Sequence, residues 1–373
     1  MNARERYLET MTFGRPDKIP FFPGHGREST RTRWISEGLP ADKNPLVAVR
    51  EHLGLPPEDG EIPYLNVDFR MIPQFEEKVL EHTNGHYVVQ DWKGNVCEIS
   101  DQFDLTYLRT ARDFVTRRWI RCPVENRADW DAMKARYTLD APGRFPADFA
   151  ERCARARTRT QLLSVSFSGP FWQLREWCGF EGLCMLMLDD PELVDDMASF
   201  WKDFVLALLE RIFERIAPDQ IHINEDMAYK AKAMISPAMA RRFCVPSWTE
   251  WSARSRRAGV PLVAIDSDGF IGELIPLWIE SGVNACDPIE VAANCDIVEF
   301  RKAFGKKMAY LGGVDKRCMA RGGKSIRDEL ARLAPVVRDG GYIPSCDHGV
   351  PSDVSWPDFL DYSRLLAELT GWR

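Results

Sequence analysis

The stretch VPLVAIDSDGFIGELIP (residues 260–276) combines a strand of the buried type with two carboxylates. The mostly apolar run from Val260 to Ile265 is typical of a strand that enters a hydrophobic core. Asp266 and Asp268 follow it, and residues two apart in a strand point to the same face of a sheet. Two carboxylates in a partly buried setting repel each other, so one takes up a proton unless a cation lies between them. The stretch therefore predicts a functional site at the end of this strand.

Apolar segments of this kind alternate with helical patterns along the chain. This order predicts an α/β fold with a parallel sheet, because parallel strands need a crossover connection between them. Eight such strands are expected, which is the number in a (β/α)8 TIM barrel. We therefore predict one barrel domain over residues 1–373, with strands within 19–24, 63–69, 161–169, 221–226, 260–269, 283–290, 307–315 and 340–350.

One segment interrupts the alternation of strands and helices. FEEKVLEHTNGHYVVQDWKGNVCEIS (residues 75–100) alternates apolar and polar residues and contains the turn-forming pairs Asn84–Gly85 and Gly94–Asn95. Alternation around such turns is the signature of an antiparallel hairpin. We expect an inserted β-hairpin at 75–100, after the second strand of the barrel.

The composition limits the classes of function that are open to the chain. The net charge is −7, which gives no general attraction to nucleic acid or to an anionic membrane. No apolar leader and no apolar stretch long enough to span a membrane is recognised, so a cytoplasmic protein is expected. Ten cysteines are present without a CxxC pair, which argues against a zinc ribbon or a thioredoxin-like site.

Acidic residues and one histidine follow several of the predicted strands. The carboxyl ends of barrel strands meet at one mouth, where active sites lie. Glu225, Asp266, Asp268 and His348 are therefore predicted to meet there. Carboxylates with a neutral imidazole suit a divalent metal, and zinc is favoured. Two alternatives stay open: acid–base chemistry between one protonated and one ionised carboxyl group, and a carboxylate pair that binds a cationic substrate.

Six segments give the chain a resemblance to a known family. They are NARERYLETMTFGRPDKIPF (2–21), VDFRMIP (67–73), FSGPFWQL (167–174), ISPAMARRFCVPSW (235–248), LGGVDKR (311–317) and GGYIPSCDHGV (340–350). Together they resemble the uroporphyrinogen decarboxylase superfamily, which includes the decarboxylases of haem synthesis and zinc methyltransferases that serve corrinoid proteins. The resemblance implies a (β/α)8 barrel, and a homodimer is expected because the family is often dimeric.

Within the decarboxylase branch, the resemblance assigns roles to three positions. Asp68, five residues before Pro73, stands where these enzymes orient the pyrrole groups of the substrate, and His348 matches their His-Gly pair after the last strand. The arginine-rich tetrapyrrole motif is replaced by PGHGRESTRTRW (23–34), from which Arg27 is expected to bind substrate. This branch implies a metal-free decarboxylase or lyase that acts on a carboxylated or porphyrinogen-like molecule.

Within the methyltransferase branch, the same positions correspond to zinc ligands. Asp266 and Asp268 stand in the place of a His-x-Cys pair, and His348 in the place of a cysteine. The resemblance implies an oxygen-rich metal site that polarises an ether or alcohol oxygen while the methyl group leaves for a corrinoid. A metal-dependent methyltransferase with a small methoxylated substrate and a corrinoid partner protein is the leading hypothesis. Asp226, Asp68 and Arg70 are expected around the substrate, with Trp172 and Phe270 stacking on its ring.

Overall fold

A computed structural model describes residues 1–57, 60–104, 107–110 and 117–373 of the chain. Its strands are β1 Lys78–Thr83, β2 His86–Gln90, β3 Val96–Ser100, β4 Arg118–Arg121, β5 Ser164–Ser168, β6 Gln220–Asn224, β7 Leu262–Asp266, β8 Ala285–Asp287, β9 Ala309–Val314 and β10 Tyr342–Cys346. Its helices are α1 Ala3–Met11, α2 Glu28–Ser36, α3 Pro45–Leu53, α4 Tyr107–Thr110, α5 Arg127–Lys134, α6 Phe149–Ala156, α7 Pro170–Cys178, α8 Phe180–Asp189, α9 Pro191–Phe213, α10 Pro237–Phe243, α11 Val245–Arg257, α12 Ile275–Glu280, α13 Ile297–Phe304, α14 Lys316–Arg321, α15 Gly323–Asp339 and α16 Trp356–Leu369, together with the short 3₁₀ helices Val291–Ala293 and Gly305–Lys307.

The last six strands form one parallel sheet in the order β10-β9-β8-β7-β6-β5. Strands that follow one another in the sequence are therefore neighbours in space, and helices connect them. Buried apolar residues fill these strands, as in β7, where Leu262 to Ile265 are all buried. This arrangement agrees with the predicted α/β fold, because a parallel sheet needs crossover helices that cover its faces.

The structure assigns six of the eight predicted barrel strands. Residues 19–24 and 63–69 have no regular strand structure. The first segment lies beside β10, since the Cys346 amide donates to the Pro23 carbonyl at 3.4 Å and Gly26 bridges Val350. Near the second, the rings of Phe69 and Phe167 stack with their centres 5.2 Å apart. Pro20 and Pro23 in the first segment, and Pro63 and Asn66 in the second, disfavour a regular strand ladder, which the apolar pattern alone did not reveal.

A separate antiparallel sheet in the order β1-β2-β3-β4 covers the segment in which a hairpin was expected. Three of its strands lie within 75–100, and the fourth ends at Arg121. Asn84 and Gly85 connect β1 to β2 with positive φ angles of 51° and 76°, the combination that two-residue hairpin turns require. An ion pair between Lys93 and Glu176 connects this sheet to α7.

Helix α9 illustrates how the sequence covers the sheet. The Asp190 side chain accepts a hydrogen bond from the Leu193 amide. Pro191 occupies the first turn, where a backbone N–H has no intrahelical acceptor, so its lack of an N–H costs no hydrogen bond. One face of the helix then carries buried residues such as Met197, Trp201 and Leu208. Each fully buried side chain of this size contributes about 1.5–3 kcal/mol. Within the described residues, no helix combines the length and apolarity needed to cross a bilayer.

Candidate functional site

The carboxyl ends of four neighbouring strands bring four polar residues into one row. The strand register pairs Ser168 with Asn224, Asn224 with Asp266, and Asp266 with Asp287. Each of these residues is the last in its strand. In open parallel α/β sheets, ligands bind just beyond the carboxyl ends of the strands. The row therefore marks the candidate active site.

A cavity of about 730 Å³ lies over this row, and we call it the acidic cavity. Its size is that of a small-molecule site. Among the described residues, its lining includes four aspartates, one arginine and two histidines. The lining of the acidic cavity includes Phe22, Arg27, Ser168, Trp172, Asn224, Asp226, Asp266, Asp268, Asp287 and His348.

Asp266 is a carboxyl group that retains its proton close to neutral pH. Burial, and next the negative charge of Asp287, raise the pKa of Asp266 to about 7, whereas His222 opposes the shift. No hydrogen bond from the described residues reaches its carboxylate oxygens, although its backbone carbonyl accepts from the amides of Glu225 and Asp226 at 2.9 and 3.1 Å. A carboxyl group of this kind can act as a general acid.

His222 and Asp287 form an ion pair beside Asp266. The Nε2 atom of His222 lies 3.0 Å from Oδ1 of Asp287. Burial alone would lower the pKa of His222, but the charge and hydrogen bond of Asp287 outweigh it and raise the pKa to about 9. The imidazole is therefore an imidazolium at neutral pH, and its charge limits how far the pKa of Asp266 rises.

Asp268, His348 and Arg27 form a second group at the cavity. His348 Nε2 lies 3.2 Å from Asp268 Oδ2, and the hydrogen bond with Asp268 raises the pKa of His348 above its usual value. On the other side of the ring, Arg27 Nη2 lies 3.3 Å from Nδ1. Because a guanidinium only donates, Nδ1 accepts in the neutral ring, whose proton then lies on Nε2, toward Asp268.

Asp226 lies at the cavity with an uncommon backbone conformation. Its φ angle is 32°, in the left-handed region that costs a residue other than glycine of order 1 kcal/mol. Arg175 Nη2 lies 3.2 Å from Asp226 Oδ2, and the same guanidinium lies 4.3 Å from the centre of the Trp172 ring. Burial raises the pKa of Asp226, and Arg175 opposes that shift.

The structure places Glu225, one of the predicted metal ligands, outside the lining of the acidic cavity. Glu225 is 0% exposed, and its oxygens accept from the amides of Phe171 at 3.2 Å and Trp172 at 3.4 Å. It thus caps the start of α7, where a side chain on Gly169 would overlap it. Burial raises the pKa of Glu225 to about 8. The strand alternation turns Glu225 away from the face that carries Asn224.

The four side chains predicted as ligands do not form one metal centre. Asp268 and His348 are in contact, Asp266 lines the same cavity, and Glu225 lies apart. In the part of the chain that the structure describes, no three His, Cys, Asp or Glu side chains gather closely enough to hold a metal ion. The predicted four-ligand zinc centre therefore does not fit the arrangement of these side chains.

Three other predicted site residues lie outside the lining of the acidic cavity. Asp68 instead accepts from its neighbour Arg70, whose Nε and Nη2 atoms donate to its two oxygens at 2.9 Å each. Although burial raises the pKa of Asp68, the bonds from Arg70 lower it overall. Phe270 packs against the hydrophobic core. Arg27, Trp172, Asp226, Asp266, Asp268 and His348 do line the cavity.

Sequence reasoning missed His222 and Arg175 and gave Asp287 no role. His222 could have been found, because it lies between the buried residues Ile221 and Ile223, and Asn224 follows two positions later in the same strand. Such alternation places both on the face that carries the site. Arg175 lies in a helix, and no local pattern relates it to Asp226.

Comparison with known proteins gives three matches. A family model described as uroporphyrinogen decarboxylase (URO-D) matches residues 120–358, more than half of the chain. A uroporphyrinogen decarboxylase from Pseudomonas fluorescens is 32% identical over 80 residues, which are 21% of this chain and 22% of that protein. The chain thus matches about a fifth of the length of this relative. The structure of a methyltransferase from Methanosarcina mazei has a TM-score of 0.58 and 12% identity over 100% of this chain and 99% of that chain, a likeness of fold.

Proposed function

The chain belongs to the uroporphyrinogen decarboxylase family, and we propose that it is a methyltransferase that demethylates a small methoxylated molecule. The observation that carries the proposal is Asp266, a carboxyl group with a pKa of about 7 at the row of strand ends in the acidic cavity. An ether oxygen leaves poorly as an alkoxide, and a proton donor near neutral pH removes that obstacle.

The charge of the cavity favours a neutral substrate over a polyanionic one. Asp226, Asp266, Asp268 and Asp287 line it, and Arg27 is the one arginine or lysine among the described lining residues. A porphyrinogen with several carboxylates would meet one guanidinium, Arg27, in this lining, whereas a methoxylated ring needs no counter-charge.

The chemical step uses the side chains as acid and as counter-charge. The bond between the methyl carbon and the ether oxygen breaks, and its electron pair stays on the oxygen, which takes the proton of Asp266. The methyl carbon forms its new bond with the electron pair of a nucleophilic acceptor. Asp266 is left ionised, and the neighbouring His222 imidazolium offsets the new charge until solvent returns the proton.

The acceptor is the co-reactant that this step requires. A reduced corrinoid on a partner protein is the proposed acceptor, because it is a strong nucleophile for methyl groups. Trp172, which lines the cavity, is the proposed stacking surface for the ring of the substrate. Zinc dependence and a homodimer stay predictions.

The decarboxylase alternative loses one of the three groups on which it depended. It required Asp68 and His348 to face the same substrate, but Asp68 is bound to Arg70 and does not line the acidic cavity. His348 and Arg27 do line the cavity, so decarboxylation stays an alternative for a small substrate with one carboxylate.

The proposal is tested by a methyl-transfer assay with a panel of methoxylated aromatic compounds and reduced cobalamin. We expect methylcobalamin to form, and Asp266→Asn to lower kcat/KM by about 10²–10⁴-fold, the usual value of a general acid. Asp17→Asn is the matched control, because this aspartate pairs with Arg6 at an exposed position. Each assay is repeated after treatment with a chelator and again with added zinc.

Three outcomes are informative. Full activity in Asp266→Asn would contradict the role of this residue as acid. Release of carbon dioxide from a carboxylated substrate, with no need for a methyl acceptor, would replace the proposal with the decarboxylase alternative. Activity that is lost on chelation and restored by zinc would favour the predicted metal over proton transfer from Asp266.

A further inference from the structure

A second cavity lies at the other end of the parallel sheet, and we call it the basal cavity. Its volume is about 390 Å³, within the range of small-molecule sites. Ile343, near the start of β10, and Leu162, just before β5, line it. Phe22 and Leu311 line both this cavity and the acidic cavity, so they form a wall that the two share.

Three cationic side chains converge on one indole ring in the basal cavity. Lys18 Nζ lies 4.8 Å from the centre of the Trp372 ring, and the guanidinium carbons of Arg6 and Arg50 lie at 5.1 and 5.3 Å. All three distances fall within the range of about 6 Å in which a cation is attracted to an aromatic ring. The described lining contains these cations and no Asp or Glu.

Of the three cations, Lys18 is the one that can most readily form an ion pair with a ligand. Asp17 accepts from Arg6 Nε at 2.7 Å and from Nη2 at 2.8 Å, so this guanidinium already has a carboxylate partner. Arg50 is 6% exposed and donates to the Pro56 carbonyl at 2.9 Å. In the described residues the Lys18 ammonium contacts Trp372 and no carboxylate within ion-pair distance. The cavity therefore favours an anion beside Lys18.

Apart from Tyr7 and Gln161, the other described lining residues of the basal cavity are mostly apolar. Phe21, Leu162 and Ile343 line it together with several prolines. A small, fully hydrated anion such as phosphate could contact the cations, but it would lose part of its water and gain nothing from the apolar walls. An anion with a flat apolar body would instead bury its ring against these walls and the indole. We propose that the basal cavity binds a small aromatic carboxylate, with its carboxylate toward Lys18 and its ring beside Trp372.

The proposal is tested by direct binding of 4-fluorobenzoate to the full chain, followed by fluorine NMR. We expect one saturable site and about tenfold weaker binding of the neutral isostere 4-fluorobenzamide, because a charge-assisted contact is lost. Lys18→Gln should weaken 4-fluorobenzoate binding by a similar factor, and Lys18→Arg should retain it. Lys324→Gln, a substitution in an exposed ion pair with Asp328, is the matched control and should bind as the wild type does.

Several results would overturn the proposal. They are equal binding of the benzamide, unchanged binding in Lys18→Gln, and displacement of 4-fluorobenzoate by an equal concentration of inorganic phosphate. Loss of binding in Arg27→Gln would assign the ligand to the acidic cavity instead, because Arg27 is the arginine in the described lining of that cavity. Thermal unfolding of each variant excludes loss of fold as the cause. The experiment reads binding and not turnover, so its outcome is independent of the proposed methyl transfer.

Discussion

Asp219 and Asp266 are two carboxylates at opposite ends of the same sheet, the first buried and the second partly buried. Asp219 directly precedes β6, is 1% exposed, and accepts from Arg159 Nε at 2.7 Å, Arg4 Nε at 2.8 Å and the Leu163 amide at 2.9 Å. Asp266 ends the neighbouring strand β7 and lies beside the carboxylate of Asp287.

The two residues differ in protonation because their partners differ. Burial alone would raise the pKa of both. At Asp219 the hydrogen bonds from Arg159, Leu163 and Arg4 outweigh burial and lower the pKa, whereas at Asp266 burial and Asp287 act together and raise it. The paired carboxylate stabilises the fold, and the proton-retaining carboxyl destabilises it in return for reactivity.

The largest effect on stability is expected for Asp219→Asn. Removing this charge leaves the buried Arg159 guanidinium without its counter-charge, which typically costs about 3–5 kcal/mol. Chemical denaturation at neutral pH measures the free energy of unfolding, with Asp17→Asn as the surface control. A loss below about 1 kcal/mol, the value typical of an exposed pair, would remove the contrast between the two aspartates.

Asp266→Asn is expected to change stability in the opposite direction. The folded pKa of Asp266 is raised, so the folded state binds the extra proton and loses stability as the pH rises from the unfolded pKa to about 7. Above that pH the substitution should raise the free energy of unfolding by about 2–4 kcal/mol, and near pH 4 it should change little. Denaturation at both pH values provides the measurement, and destabilisation by the variant at high pH would contradict the account.

The His222–Asp287 pair is expected to stabilise the fold in a defined pH window. The raised pKa of His222, about 9, contributes stability that is fully present below its unfolded pKa and is lost as the pH rises through about 9. The free energy of unfolding of the wild type should therefore fall by about 3 kcal/mol between roughly pH 6.5 and pH 9. The His222→Asn variant should not show this fall. Chemical denaturation across this pH range provides the measurement. If the free energies of unfolding of the two proteins change with pH in the same way, the pair is not charged.

The smallest effect is expected for Asp68→Asn. Its partner Arg70 is well exposed, and ion pairs of this kind contribute about 0–1 kcal/mol. Because Asp68 does not line the acidic cavity, kcat/KM should stay near the wild-type value. A loss of activity comparable to that of Asp266→Asn would restore the role that family resemblance assigned to Asp68.

The alternation of apolar strands with helices sufficed to predict the parallel sheet and the end of it at which the acidic cavity lies. It also predicted Asp266 and Asp268 at the cavity, because the period of two in a strand fixes which side chains share a face. The antiparallel strands were visible in the turn pair Asn84–Gly85. These features depend on neighbours in sequence, so local patterns were enough.

The remaining features depend on contacts between distant parts of the chain. The role of Glu225 as a helix cap could not be read from the sequence, since it is set by the position of α7 against the strand end. The pairing of Arg27 with His348 joins residues 321 positions apart. Strands expected at 19–24 and 63–69 failed for a related reason, because a strand requires a partner in register as well as an apolar run.

The most direct test of the central claim is the protonation state of Asp266 itself. Infrared difference spectra of the wild type against Asp266→Asn, recorded across a pH titration, isolate the carboxyl signal of this residue from that of Glu225. We expect a protonated carboxyl band near pH 5 that disappears with a midpoint of about 7 and is absent from the variant. A carboxylate band for Asp266 already at pH 5 would contradict the account.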